Sequence, residues 1–152
     1  MRILVCAVGR ARKGPERALY DGFAAQLRWP IELREVEERR KLPAGPLKAS
    51  EAALLLRPVP NGAAIVALDE RGEALSSREL ADRIGQWRDN GRDCIAFLIG
   101  GADGLDDTVR QRADLVLSFG RLTWPHLLVR GMLAEQLYRC QQILAGHPYH
   151  RD

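Results

Sequence analysis

Five short apolar runs limit what this chain can fold into: residues 3–8, 31–36, 63–68, 94–99 and 115–119. The run at 31–36 is the weakest. ILVCAV at 3–8, AAIVAL at 63–68 and CIAFLI at 94–99 are apolar throughout. A strand with one wet face alternates apolar and polar residues, whereas a strand covered on both faces does not. Such runs read as strands of a parallel sheet sandwiched between helices.

The segments between the runs carry helical patterns. Residues 15–27 place Ala18, Leu19, Phe23 and Leu27 on one side, and 47–56 form a second helix. Residues 77–90 open on the capping-box pair Ser76 and Glu79 and stop at Asn90-Gly91. A short helix fits 106–112. Strands and helices alternate, which predicts one α/β domain over residues 1–152, with a mainly parallel sheet flanked by helices. The length of 152 residues suits one domain with a real core. Charged and containing Pro and Gly, residues 37–46 read as a mobile surface loop. No apolar run approaches the roughly 20 residues of a membrane span. The opening MRILVCAVG lacks the cleavage site of a signal peptide. A cytoplasmic protein with no membrane partner is expected.

The last helix starts at Pro125, a favoured first-turn position, and ends before Gly146, with Pro148 just beyond. About 20 residues make it roughly 30 Å long. Val129, Leu133, Leu137, Cys140 and Leu144 follow helical spacing and face the sheet. Leu128, Met132 and Tyr138 lie elsewhere around the cylinder, so a second surface must cover them. A second copy of the chain, related by a two-fold axis, is the economical candidate. The N-terminal half of the same chain is the alternative.

Cys6, Cys94 and Cys140 sit in apolar runs or in the terminal helix, as buried free thiols would. His126, His147 and His150 are too few and wrongly spaced for a metal site, so no metal is expected. The net charge is +3, and 20 of the 23 basic residues are Arg. Arg forks onto phosphate and stacks on bases, which favours a nucleic-acid partner. A GC-rich genome produces the same bias, so charge alone decides nothing.

Ligands of open α/β sheets sit at the carboxyl ends of the strands. Gly100-Gly101-Ala102-Asp103-Gly104 follows one buried strand directly and lets the backbone approach a ligand. The loop matches neither a dinucleotide nor a phosphate-loop fingerprint. A tight turn with no ligand explains it equally well. Residues 119–124, FGRLTW, form a second loop of mixed polarity, suited to an adenine ring held by backbone groups. Leu68-Asp69 closes a third strand. Together, at successive strand ends, these elements outline a small-molecule pocket.

Four motifs carry a resemblance: I-G-G-x-x-G at 99–104, L-T-x-P-H at 122–126, L-x-E-Q-L-Y-R at 133–139 and H-P-Y-H-R at 147–151. They closely resemble the SPOUT-superfamily ribosomal RNA large-subunit methyltransferase H family, which modifies a pseudouridine in large-subunit ribosomal RNA. The resemblance implies an S-adenosyl-L-methionine cofactor, a trefoil knot in the C-terminal half and a homodimer. It implies cofactor contacts at Leu68, Gly100, Phe119, Gly120, Arg121, Leu122, Thr123 and Trp124. Many relatives carry Ser where this chain has Gly120, so only backbone contacts carry over there. The implied reaction is methylation of N3 of a pseudouridine in the helix 69 loop of 23S rRNA, on assembled ribosomes.

The tail His147-Pro148-Tyr149-His150-Arg151 reads as an extended, rigid segment whose rings stack on unpaired bases and whose cations meet phosphate. A frayed terminus is the bland alternative. A second basic segment, Arg10, Arg12, Lys13 and Arg17 against Glu16 alone, follows the first strand and suits phosphate contacts that carry no sequence information. N3 of pseudouridine is an imide nitrogen and must lose its proton to attack. His126, Glu135, Tyr149 and His150 are candidates for that step. Glu135 stands four residues before Arg139, so a helix-face ion pair accounts for it too. His126 fits a capping or packing role equally well. Two other readings stay open: a non-catalytic ribosome-binding or assembly module on the same fold, and an unrelated α/β nucleotide-binding enzyme.

Overall fold

The computed structural model describes residues 1–151. Its strands are β1 (Arg2–Val8), β2 (Ile31–Val36), β3 (Ala64–Glu73), β4 (Cys94–Ile99) and β5 (Leu115–Leu117). The helices are α1 (Pro15–Ala24), α2 (Ala44–Leu56), α3 (Ser77–Asp89), α4 (Asp107–Arg112) and α5 (His126–Leu144). The five strands form one sheet in the order β2-β1-β4-β3-β5, and every pairing is parallel.

Each strand of a parallel pair is reached by a crossover, and here the crossovers sort by direction. β1 to β2 and β3 to β4 step one way across the sheet, through α1 and α3 on one face. β2 to β3 and β4 to β5 step the other way, through α2 and α4 on the opposite face. All four therefore share one hand, as the uniform twist of parallel strands requires.

The runs at 3–8, 63–68 and 94–99 are buried on both faces, as their sequences predict, while β2 at the sheet edge is only half-buried. Ile3, Val5, Ile95, Phe97 and Val66 meet α3 and α5, while Leu4, Cys6, Ile65, Ala96 and Leu98 meet α2 and α4. All three cysteines are buried and free. On α5, Leu133, Leu137 and Cys140 face the sheet, with Val129 and Leu144 at the margin of the same cluster. α1 covers part of the other side. A Cβ on Gly131 would lie 2.6 Å from Leu19 Cδ2, and Phe23 and Tyr138 have ring centroids 6.1 Å apart. The N-terminal half thus supplies some of the second surface that α5 needs.

Several element ends differ from expectation, each for a local reason. α1 stops at Ala24, because Gln26 and Leu27 donate to carbonyls three residues back and tighten the chain out of the helix. α2 begins at Ala44 rather than 47: Pro43 caps it, and Pro46 falls in the first turn, where no N–H is needed. The loop predicted over 37–46 is correspondingly shorter. Pro125 is the N-cap of α5 rather than its first helical residue. The capping box at Ser76 and Glu79 forms in both directions. No helix among the described residues is long and apolar enough to cross a membrane.

Candidate cofactor site and nucleic-acid interface

Register brings the expected cofactor residues to one end of the sheet. Leu68 on β3 pairs with Ile99 on β4 and with Leu117 on β5, so Gly100 and the loop at 119–124 leave neighbouring strands on either side of it. A Cβ on Gly100 would sit 2.9 Å from the Gly104 carbonyl carbon and oxygen, so only glycine lets this loop fold back so tightly. β3 does not end at Leu68. Residues 69–72 bulge out, and Glu73 returns to pair with Leu117. Gly72 crosses β5 so closely that a Cβ would lie 2.5 Å from the Val116 carbonyl oxygen.

An ion-pair cluster ties two of these ends together. The Arg110 guanidinium donates to Asp69 at 2.9 Å and to the Leu105 carbonyl at 2.9 Å, and it also pairs with Asp107. Burial works to raise the Asp69 carboxyl. The Arg71 N–H and the guanidiniums of Arg71 and Arg110 outweigh it and hold Asp69 below the usual carboxylate range.

The loop from 120 to 125 is exposed and tethered at both ends. Ser118 Oγ bonds the Glu70 and Gly120 carbonyls and accepts from the Gly120 N–H. Thr123 Oγ1 donates to Glu70 at 3.2 Å, and the Trp124 indole donates to the Phe119 carbonyl at 3.3 Å. Gly120 adopts φ +105 with open space on its Cβ side, while Leu122 is 71% exposed. Bare backbone and uncovered apolar side chains suit a flat, partly apolar ligand such as an adenine ring. A groove of about 520 Å³ runs alongside, lined by Leu19, Phe23, Leu75, Phe119, Gly120 and Met132 among others. It shares Phe119 and Gly120 with the expected contacts, but Leu68 and Gly100 lie outside it. The strand-end register, not this groove, unites the set.

The candidates for proton transfer separate into two groups. His126, in the first turn of α5, faces the end of β1, where its Nε2 would lie 3.4 Å from a Cβ on Gly9. Burial, then the Arg130 charge, holds its imidazole below the ordinary 6.5. Glu135 lies nine residues further along, roughly 13 Å up the helix. It pairs with Arg139 at 2.5 Å, as the spacing allows, and accepts the Tyr149 hydroxyl at 3.1 Å. Tyr149 also packs edge-on against Tyr138 at 4.8 Å and lies under the Arg139 guanidinium, which contacts His150 Nδ1 at 3.3 Å. The tail is therefore not extended. The His147 N–H returns to the Gln142 carbonyl, and residues 147–150 fold back onto α5 because Glu135, Tyr138 and Arg139 offer Tyr149 partners. Burial and the Glu135 hydrogen bond hold the Tyr149 phenol above its ordinary value, so it stays protonated. His147, Tyr149 and Arg151 remain at the surface.

In the basic segment, Arg10, Arg12 and Lys13 are exposed. More than Glu16 faces it. Glu37 lies 3.6 Å from Arg10, and Glu35 accepts the Ala11 N–H at 2.6 Å. Sequence reasoning missed Arg130. Only 1% exposed, it bridges Glu35 at 2.7 Å and donates to the Val8 and Gly9 carbonyls at 3.0 and 2.7 Å. One charge inside an apolar helix stripe was the available signal. Among the described residues no cluster of three His, Cys, Asp or Glu could hold a metal ion.

A family model described as "Predicted SPOUT methyltransferase" matches residues 1–150. The chain is 60% identical over 151 residues to the ribosomal RNA large subunit methyltransferase H of Rhodospirillum centenum, covering 99% of each chain. It is 57% identical over 151 residues to the protein of the same name from Paramagnetospirillum magneticum, again covering 99% of each. This chain belongs to the SPOUT methyltransferases, in the ribosomal RNA large subunit methyltransferase H family. For this SPOUT methyltransferase the fold recurs in a solved structure, a probable methylase family protein from Haemophilus influenzae Rd KW20. The TM-score is 0.61 over 99% of this chain and 70% of that one, at 8% identity, a likeness of fold alone.

Proposed function

We propose that this protein transfers a methyl group from S-adenosyl-L-methionine to N3 of a pseudouridine in the helix 69 loop of 23S rRNA, on the assembled ribosome. The observation that carries the reading is the convergence of Leu68, Gly100 and the exposed 119–124 loop at the ends of adjacent strands, in a chain 60% identical to a named large-subunit RNA methyltransferase. The bound cofactor supplies an electrophilic methyl group on sulfur. Backbone groups of the glycine loop and of residues 119–124 hold it, and the exposed side chains of Leu122 and Trp124 cover its apolar parts.

The protein's remaining task is to present the base and accommodate the N3 proton. His126 stays neutral near pH 7 and is able to accept a proton. Glu135 is held by Arg139 and Tyr149, and acts once the tail swings off α5 to meet RNA. Arg10, Arg12, Lys13, His147, Tyr149, His150 and Arg151 supply the RNA contacts.

We place the reaction in a homodimer, in which the half-buried Leu128 and Met132 and the apolar groove beside them meet the partner. We place a trefoil knot in the C-terminal half, as the family resemblance implies. Mass spectrometry of 23S rRNA fragments from cells with and without this gene tests the reading. The helix 69 fragment should lose the mass of one methyl group when the gene is deleted. An unchanged fragment would refute the assignment.

A further inference from the structure

Among the described residues two charged side chains are buried, Glu51 and Arg130, and Arg130 at 1% exposure is the deeper. Its guanidinium leaves α5 and reaches the β1–β2 edge of the sheet: Glu35 on β2, and the carbonyls of Val8 and Gly9 where β1 ends. Glu35 in turn accepts the Ala11 N–H at 2.6 Å, inside the basic loop that follows β1. His126, one helical turn before Arg130, packs against Gly9, which turns the chain at φ +94. Three anchors of the basic loop thus trace back to one face of α5, beside the Gly9 N–H bond to the Val36 carbonyl and the Arg10–Glu37 ion pair on the β2 side.

Burying an ion pair is a poor route to stability, since its desolvation cost often exceeds its attraction and apolar replacements do as well. Arg130 Nε also lacks a partner among the described residues. A planar fork that fixes three acceptors in one geometry accounts for the arrangement better than stability does. α5 begins immediately after the loop that carries the cofactor contacts at 119–124.

We infer that Arg130 is a positioning residue. It holds the loop bearing Arg10, Arg12 and Lys13 in register with the 119–124 loop, so that RNA gripped by one presents its base to the other. The inference rests on the methyltransferase reading above and adds a role for a residue that touches neither cofactor nor base.

Arg130→Lys keeps the charge and loses the fork. Glu35→Gln keeps an acceptor for Ala11 and loses the ion pair, and its side chain is exposed enough (27%) for the variant to fold. With wild-type and variant enzymes, methyl transfer to purified ribosomes gives KM and kcat across a salt series, and calorimetry gives the affinity for S-adenosylmethionine. The expected result is a ribosome KM raised about tenfold or more in both variants. The salt slope should be shallower and cofactor affinity unchanged within about twofold. A folded Glu35→Gln variant with wild-type KM and salt slope overturns the inference. So does a loss of cofactor affinity that matches the rise in KM. Wild-type enzyme that methylates no ribosomal RNA would instead sink the underlying reading.

Discussion

His126 shows how one side chain's surroundings set its chemistry. Burial disfavours the imidazolium, and Arg130 close by adds repulsion, so the folded protein holds this histidine below 6.5. The unfolded chain then takes up the proton first as pH falls. Stability from this group is complete above about 6.5 and is lost as pH drops through the folded value. Asp69 and Glu35 are held below their ordinary values of 3.8 and 4.5, so they titrate in a lower window. Denaturant melts of wild type and His126→Gln between about pH 7 and pH 5 separate the two effects: the wild type should lose stability across that range and the variant distinctly less. Equal slopes would mean that His126 titrates normally. At this scale the sequence was least legible. Arg130 hides within an apolar stripe, and its partner Glu35 is 95 residues away. The fold of the tail onto Tyr138 and Arg139 depends on side-chain contacts that a reading of terminal residues as extended does not weigh.

Elements were legible in proportion to how local their causes are. The strands at 3–8 and 94–99 announce burial on both faces, and the register confirms it. α3 is bounded by a capping box and a glycine at φ +82, signals written within a few residues. Ser76→Ala removes the side chain that accepts the Glu79 N–H and should cost about 1 kcal/mol, with a fall in melting temperature of a few degrees. A shift of less than one degree would show that Glu79 and solvent make up the loss. The end of β3 was hidden for the opposite reason. The sequence closes this strand at Leu68-Asp69, since the following residues are polar, yet Glu73 joins the sheet because Leu117 and Ser118 lie in reach after a long detour of the chain. The extra strand length and the bulge are products of that distant pairing.

For the molecule as a whole, the order β2-β1-β4-β3-β5 gathers three loops that are remote in sequence. Sequence alone pointed to an α/β sheet with ligand loops at strand ends. It did not contain the register that sets Leu68 between Ile99 and Leu117, nor the groove between α1 and α5. The central claim is that these strand ends bind one adenosyl cofactor. Isothermal calorimetry with S-adenosylmethionine tests it most directly, on wild type and on Gly100→Ala, whose added methyl group meets the Gly104 backbone at 2.9 Å. Wild type should bind at one site per chain, or per pair of chains if only one pocket of a dimer fills. Gly100→Ala should bind at least about tenfold more weakly, with an unchanged circular dichroism spectrum. No heat from wild type at millimolar cofactor, or equal affinity in the two proteins, would contradict the account.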